Sequence, residues 1–404
     1  MKLTSCRRRF FGRVDAIGTY HSGMRISGSA GFINCAIGAS RALAVLMSLM
    51  VMGGLDAFAA RASAVETWSP SAAAQYLDQR ATWWESWPNS KRDHDTVCVS
   101  CHTILPYVLS RSKLSAALAE KGVPGAQSAA LGHVKKRVRL WSEVQPYYLD
   151  AKSGPGKSRE SRATESVLNA LVLASSSADQ KRLDPLARKA FDAAWALQLK
   201  SGEHAGAWDW QVFHLAPWEA GDSQYQGATF MALAVGWAPE HYRRDRAVQA
   251  NLRLLRAYLR REYASQTLLN KMVLLWASEK FPGILSRGEK KDLVAAVRKQ
   301  QQKDGGWNLS TLGAWERSDH TTQDNASDGY ATALATLALG HGHDRRQEDA
   351  WKMGRTWLEQ HQNKEDGSWR TYSLNKKRDL KTDVGKFMTD AATGYAVLAL
   401  EQTR

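Results

Sequence analysis

The chain has 404 residues, 44% hydrophobic and 24% charged, with 30 Gly and 10 Pro. That composition excludes collagen-like, mucin-like and disordered chains and leaves enough apolar material for one large core. The net charge of +15 is partly a terminal effect: residues 1–64 hold eight Lys/Arg and two Asp, which leaves 47 basic against 38 acidic groups in the rest, a surplus that fits a solvated basic surface, an acidic redox partner protein or peripheral contact with anionic lipid.

Residues 42–55, ALAVLMSLMVMGGL, form an uncharged apolar run preceded by Arg41 and followed by Ala57, Ala59, Ala60, Ala62 and Ala64. The run reads as the apolar core of a secretory signal peptide with cleavage after Ala59 or Ala64. It is too short to span a bilayer comfortably, although an uncleaved anchor is the rival reading. Met24 is an alternative start. The expected organisation is therefore a leader over 1–64 and an exported, periplasmic domain over 65–404.

Four Cys are too few for a disulfide-stapled scaffold. Cys6 and Cys35 leave with the leader, so the mature chain keeps only Cys98 and Cys101, followed at once by His102. The pentapeptide CVSCH has the spacing that bonds both vinyl groups of a haem and sets the adjacent imidazole under the iron. One covalent haem c is the expected cofactor, with His102 as proximal ligand. A disulfide, a zinc site completed from elsewhere and a thioredoxin-like pair stay open as alternatives.

Beyond the leader the chain alternates apolar helical segments with polar connections and shows no sustained period-2 alternation. Outer, amphipathic helices are expected near 70–87, 131–149, 184–199, 240–262, 286–302 and 345–362. Inner helices are expected near 102–112, 165–175, 225–236, 267–280, 327–340 and 389–401. The sequence repeats itself: QQQKDGGW (300–307) precedes SDGYATALATLAL (327–339), and QHQNKEDGSW (360–369) precedes TDAATGYAVLAL (389–400). A degenerate third copy pairs WALQLKSGEHAGAW (195–208) with YQGATFMALAV (225–235). Sixteen Trp against nine Phe fit such a repeat. Stacked helical hairpins of this kind close into an all-α fold, a single (α/α)6 toroid.

The Q-x-x-x-D-G-x-W elements resemble the QW repeats of the squalene–hopene cyclase and prenyltransferase superfamily, over most of 160–404. The resemblance implies a terpenoid cyclase/prenyltransferase-like toroid in which Gln301, Trp307, Gln362 and Trp369 are structural braces. Asp304-Gly305 and Asp366-Gly367 are turn chemistry. Two departures separate this chain from the activities of that superfamily. It has no D-x-D-D acid motif, its nearest candidates being Asp93-His94-Asp95-Thr96 and Asp319-His320. It also has no mature Cys outside CVSCH to join an Asp and a His on zinc.

The connection carrying CVSC opens on the face of the ring that also bears three long loops, 200–224, 303–326 and 363–388, of the kind that build sites or lids. A sixth iron ligand, where the iron takes one, is expected from them; five-coordinate iron, pointing to ligand binding or oxidation chemistry, is the alternative. Met388, next to Phe387, is the first candidate and His214 the second, with His320 and His204 behind. The aromatic stretch 208–225 supplies Glu219 and Asp222 as candidate acid or base beside an apolar pocket; a loop held down by buried Trp is the alternative. Asp328 and Asp390 are expected to cap inner helices, and the basic stretch 243–263 to be a solvated outer helix.

The function these residues suggest is an exported monohaem c-type protein acting in electron transfer or oxidation near a hydrophobic, isoprenoid-like ligand. Alternatives are a noncanonical terpene cyclase or lyase, a polysaccharide-active (α/α)6 enzyme using paired carboxylates, or a non-enzymatic scaffold. No G-x-x-x-x-G-K or G-x-G-x-x-G follows an expected strand, and nothing points to nucleic acid.

Overall fold

Local signals start most helices. The computed structural model describes residues 68–178, 180–340 and 344–402; the expected leader, with its apolar run and cleavage sites, lies outside them. In chain order, α1 (Pro70–Ser86) leads to α2 (Ile104–Ala117), α3 (Gly125–Arg139), the single turn α4 (Asp150–Ser153), α5 (Lys157–Ser176) and α6 (Pro185–Leu197). There follow α7 (Ser223–Trp237), the short α8 (Glu240–Arg244), α9 (Arg246–Arg261) and α10 (Leu268–Lys280). The last four are α11 (Arg287–Lys299), α12 (Gly329–Leu339), α13 (Arg345–Gln360) and α14 (Phe387–Leu400). Ser69 and Asp184 cap α1 and α6 immediately before a proline, and Ser286 with Glu289 forms a reciprocal capping box on α11.

Packing sorts these helices into two layers. Every residue of α12 is buried, and α7 and α14 are buried almost all round. By contrast, α9 buries only the stripe Val248, Leu252, Leu255, Tyr258 and Leu259, as an outer amphipathic helix should. The inner helices pack in sequence, α2 on α5, α5 on α7, α7 on α10, α10 on α12 and α12 on α14, and α14 packs back on α2. This closes a six-membered inner ring, with α1, α3, α6, α9, α11 and α13 outside it. Because each inner helix is separated from the next by a returning outer one, all six inner N-termini share one face.

Three tryptophan–glutamine pairs brace the ring. Trp208, Trp307 and Trp369 are fully buried and donate their indole N–H to the carbonyls of Ala194, Val297 and Leu358 in the preceding outer helices, at 2.6, 2.7 and 2.8 Å. The glutamine amides tie their own turns to the next outer helix. Gln198 donates to Gly206 and Asn251, Gln301 to Gly305 and Ala350, and Gln362 to Gly367 and Ser69. The third copy, degenerate in sequence, therefore keeps the full bond set. Gly305 and Gly367 have φ of 92° and 79°, and a side chain at Gly367 would meet the backbone of Ala72 at 2.4 Å, so the turn geometry and the close approach both require glycine.

The structure corrects the element boundaries in four places. The helix expected at 131–149 is α3 and ends at Arg139, ahead of Pro146, which disfavours helical backbone at Gln145. The helix expected at 165–175 begins eight residues earlier, at Lys157. The helix expected at 240–262 breaks at Asp245, whose side chain caps α9 through the Ala247 amide. A two-residue hairpin, Lys91–Arg92 against Thr96–Val97, precedes CVSCH, turning through His94 and Asp95 at φ 53° and 50°.

Candidate functional site

Arg137 fixes the approach to CVSCH. Fully buried on α3, it donates to Glu165 of α5, to Asp93 and Thr96 of the hairpin and to the Gln145 carbonyl. Ser100 then caps the next helix, its hydroxyl accepting the Thr103 and Ile104 amides, so α2 starts at Ile104 and not at His102. Trp84 donates its indole N–H to the Cys98 carbonyl at 2.8 Å, and Tyr147 accepts the Val99 amide.

Cys98 and Cys101 are buried free thiols. Burial pushes Cys98 up to about 11 and Cys101 well above its ordinary value, so both are protonated at neutral pH. Cys101 lines the same cavity as His102, whereas Cys98 faces a smaller void beside Glu85, Val97 and Ile104. No three His, Cys, Asp or Glu side chains gather as a metal cage among the described residues.

The surroundings of His102 determine which of its nitrogens carries a proton. Nδ1 lies 2.8 Å from Thr103 Oγ1, and that hydroxyl lies 2.8 Å from Asp390 Oδ2. Asp390 is fully buried and also accepts from Tyr76 at 2.8 Å and from Arg80 Nε and Nη2 at 2.7 and 3.1 Å. Burial raises the Asp390 carboxyl, but the donor-only Arg80 guanidinium grips both of its oxygens and pulls the other way, so Asp390 is read as the ion of the buried Arg80 pair and Thr103 donates to it. Thr103 in turn accepts from His102 Nδ1–H. Burial, with Arg80 and Arg378 adding to it, pushes the imidazole down to about 3. His102 is therefore neutral, and its Nε2 carries the lone pair.

Around that ring the walls are aromatic. Phe387 stacks on His102 at 3.9 Å and 22°, Trp84 meets it edge-on at 5.0 Å, and Trp218 lies at 5.9 Å. The cavity holds about 200 Å³, and Met388, Glu219 and Arg378 are among its other walls. Its roof is knitted from the long loops. Asn375 exchanges both amide hydrogen bonds with the Ala216 backbone at 2.7 and 2.8 Å, and its carbonyl accepts the Ser318 amide.

Of the expected site residues, Cys101, His102, Met388 and Glu219 meet at this cavity. His214 does not: it sits on an exposed turn at φ 58° and is not a wall of the cavity. His204 and His320 are likewise exposed. Glu219 is raised by burial to about 7, with Lys157 pulling the other way. Asp222 is separated from it, at the start of α7, where it accepts from Asn270 of α10 at 3.1 Å. Asp328 caps α12 through the Tyr330 and Ala331 amides as expected. Asp390 does not cap α14; its partners come from α1 and from Thr103. Neither stand-in for the acid motif is a proton donor. Burial raises Asp93, but bonds from the Gln145 amide and Arg137 outweigh it and hold the group low, and the Thr321 hydroxyl holds Asp319 at about 2.

Sequence reasoning missed Tyr76, Arg80, Trp84 and Arg378. One signal for Arg80 was present, since a charged residue on the apolar face of an expected helix needs a buried partner.

No family model and no curated protein matches the chain. Among solved structures it is similar to the type II terpene cyclase MstE of Scytonema, at 13% identity over 82% of this chain and 99% of that one, with a TM-score of 0.42. A variant of that enzyme in complex with geranylgeranyl dihydroxybenzoate gives a TM-score of 0.43 at the same identity and coverage. A polysaccharide lyase is 14% identical over 84% of this chain and 92% of that one, with a TM-score of 0.35. Likenesses of this size say nothing about chemistry; the helical ring rests on the chain's own contacts.

Proposed function

We propose that this chain is an exported c-type haem protein. Cys98 and Cys101 would carry one haem, His102 would be its proximal ligand and Met388 the sixth, and the protein would work in electron transfer or oxidation beside an apolar ligand. The observation that carries the reading is the commitment of His102 Nδ1–H to Thr103 and Asp390, which leaves a neutral Nε2 donor beside Cys101 and Met388 in one aromatic cavity. Cys101, the oriented imidazole and the thioether meet at this cavity while Cys98 lines the adjoining void; two thiols, an imidazole and a thioether are the donor chemistry that a covalently held haem calls for. When bound, the group supplies a one-electron iron couple. Phe387, Trp84 and Trp218 keep water from the imidazole, and Asp390 fixes its orientation through Thr103.

The test is an optical spectrum, oxidised and dithionite-reduced, with a pyridine haemochrome assay and an intact mass, on protein produced in a periplasm equipped for haem c maturation. One covalent haem is expected, with a single thioether in Cys98→Ala or Cys101→Ala and none in the double variant. An intact mass equal to that of the polypeptide alone would end this reading.

Glu219 favours a second reading, a noncanonical cyclase- or lyase-type enzyme. A carboxyl raised to about 7 inside an aromatic cavity is suited to act as general acid on an apolar substrate. This reading requires turnover of polyprenyl or glycan substrates that Glu219→Gln abolishes without unfolding the protein.

A further inference from the structure

A second, larger cleft of about 640 Å³ adjoins the His102 cavity and shares Trp84, Trp87 and Tyr148 with it. It opens between the 91–97 hairpin and residues 145–153, and its volume suits a small organic ligand. Tyr147 completes an aromatic side. The lining also carries Lys91, Arg92 and Lys152 against one carboxylate, Asp93. Asp93 is already engaged, by Arg137 at 3.0 Å, by the Gln145 amide at 2.6 Å and by His94 at 3.8 Å. Lys91 also feels Glu85 from α1.

Arg92 is the unusual member of this set. Its guanidinium lies over the rings of Tyr147 and Tyr148, at 5.6 and 5.0 Å from their centroids. Nη1 donates to the carbonyls of Asn89 and Lys91 at 2.8 and 2.7 Å. Nε is buried and has no hydrogen-bond partner. Nε is closed off from the cleft, so what Arg92 offers there is the Nη end of its half-buried guanidinium, a planar cation suited to a carboxylate.

We propose that this cleft binds a small organic carboxylate with an aromatic or similarly flat apolar body. The carboxylate sits on Arg92, Lys91 and Lys152 attract it from the rim, and the apolar body lies against Trp87 and Tyr148. The inference goes beyond the haem reading and stands without it.

Titration calorimetry with 2-naphthoate and the neutral 2-naphthalenemethanol tests it, on the protein as isolated. The acid should bind at least about tenfold more tightly than the alcohol. Arg92→Gln should erase that preference, and Lys291→Gln, outside the cleft, should keep it. Should Arg92→Gln fail to fold, as judged by its melting curve, the exposed Lys152→Gln serves in its place, with a loss of affinity for the acid and not for the alcohol. Equal binding of the two probes, or a preference untouched by these substitutions, overturns the proposal. The titrations are repeated on protein carrying both Cys98→Ala and Cys101→Ala. Binding to both forms sustains the proposal. Binding only to the haem-free form overturns it, because the cleft would then belong to the carboxylates of the haem itself. If no haem is attached at all, the haem reading fails while the two probes still decide this one.

Discussion

His102 owes the choice of which nitrogen carries its proton to a carboxylate 287 positions beyond its neighbour Thr103. Asp390 from the last helix reaches it through Thr103, and Arg80 and Tyr76 from the first helix hold Asp390 in place. Thr103→Val removes the acceptor from Nδ1–H and makes the imidazole a poorer donor through Nε2. In haem-loaded protein the reduction potential should therefore rise, as read by potentiometric titration. Glu219 gives a pH prediction. Its folded value, about 7, lies above the ordinary 4.5, so between those values the folded chain keeps a proton that the unfolded chain has released. The stability this proton contributes is complete below about 4.5 and is lost as pH rises through 7. His102, pushed down to about 3 from 6.5, acts with the opposite sign over part of that range. The quantity to measure is thus the difference between wild type and Glu219→Gln in urea melts: the variant should gain on wild type as pH is raised from 5 to 7. A difference independent of pH would refute the assignment. At this scale the sequence made CVSCH, Met388 and Glu219 legible because each sits in a distinctive local context. Asp390, Arg80 and Trp84 were not legible as site residues, because what defines them is a partner brought in by the closing of the ring.

Helices are where sequence and structure agree most closely, and the reason is that their ends are set locally. Ser69-Pro70, Asp184-Pro185 and Ser286 with Glu289 mark starts that need no tertiary information. The hairpin before CVSCH was invisible because it is too short for alternation to register and turns through two non-glycine residues at positive φ. The end of α3 differs from the expectation because the apolar residues Tyr147 and Tyr148 continue past it in irregular chain that packs on the same core. The tryptophan braces are the clearest element-level device. Trp307 is fully buried and bonded to Val297 at 2.7 Å, and beside it Gln301 joins the turn to α13. Trp307→Ala should cost about 3–5 kcal/mol in chemical denaturation, the range for emptying a large aromatic site. A loss below about 1 kcal/mol would mean that the surrounding helices collapse into the space.

At the largest scale the described residues form a ring whose seam lies between its first hairpin and its last. Gln362 bonds to both backbone groups of Ser69, and α14 packs on α2, so the last hairpin closes against the first. That closure was legible in the sequence: a repeat of about 62 residues with alternating outer and inner helices admits few other arrangements. The expected cavity mouth was legible for the same reason, since alternation alone puts every inner N-terminus on one face. Which loops would interlock there was not, because the bonds of Asn375 to Ala216 join loops 159 residues apart and pair one asparagine side chain with backbone groups that any residue possesses.

The seam also makes the pocket depend on both ends of the ring. Trp84, Cys98, Cys101 and His102 come from the first hairpin, while Phe387, Met388 and Asp390 come from the last, so the pocket is finished only when the final helix docks. Until then CVSCH has no Phe387 stacked on its imidazole and no Asp390 behind Thr103. An enzyme that modifies these thiols would meet them unroofed, and the docking of α14 would then shut the product in.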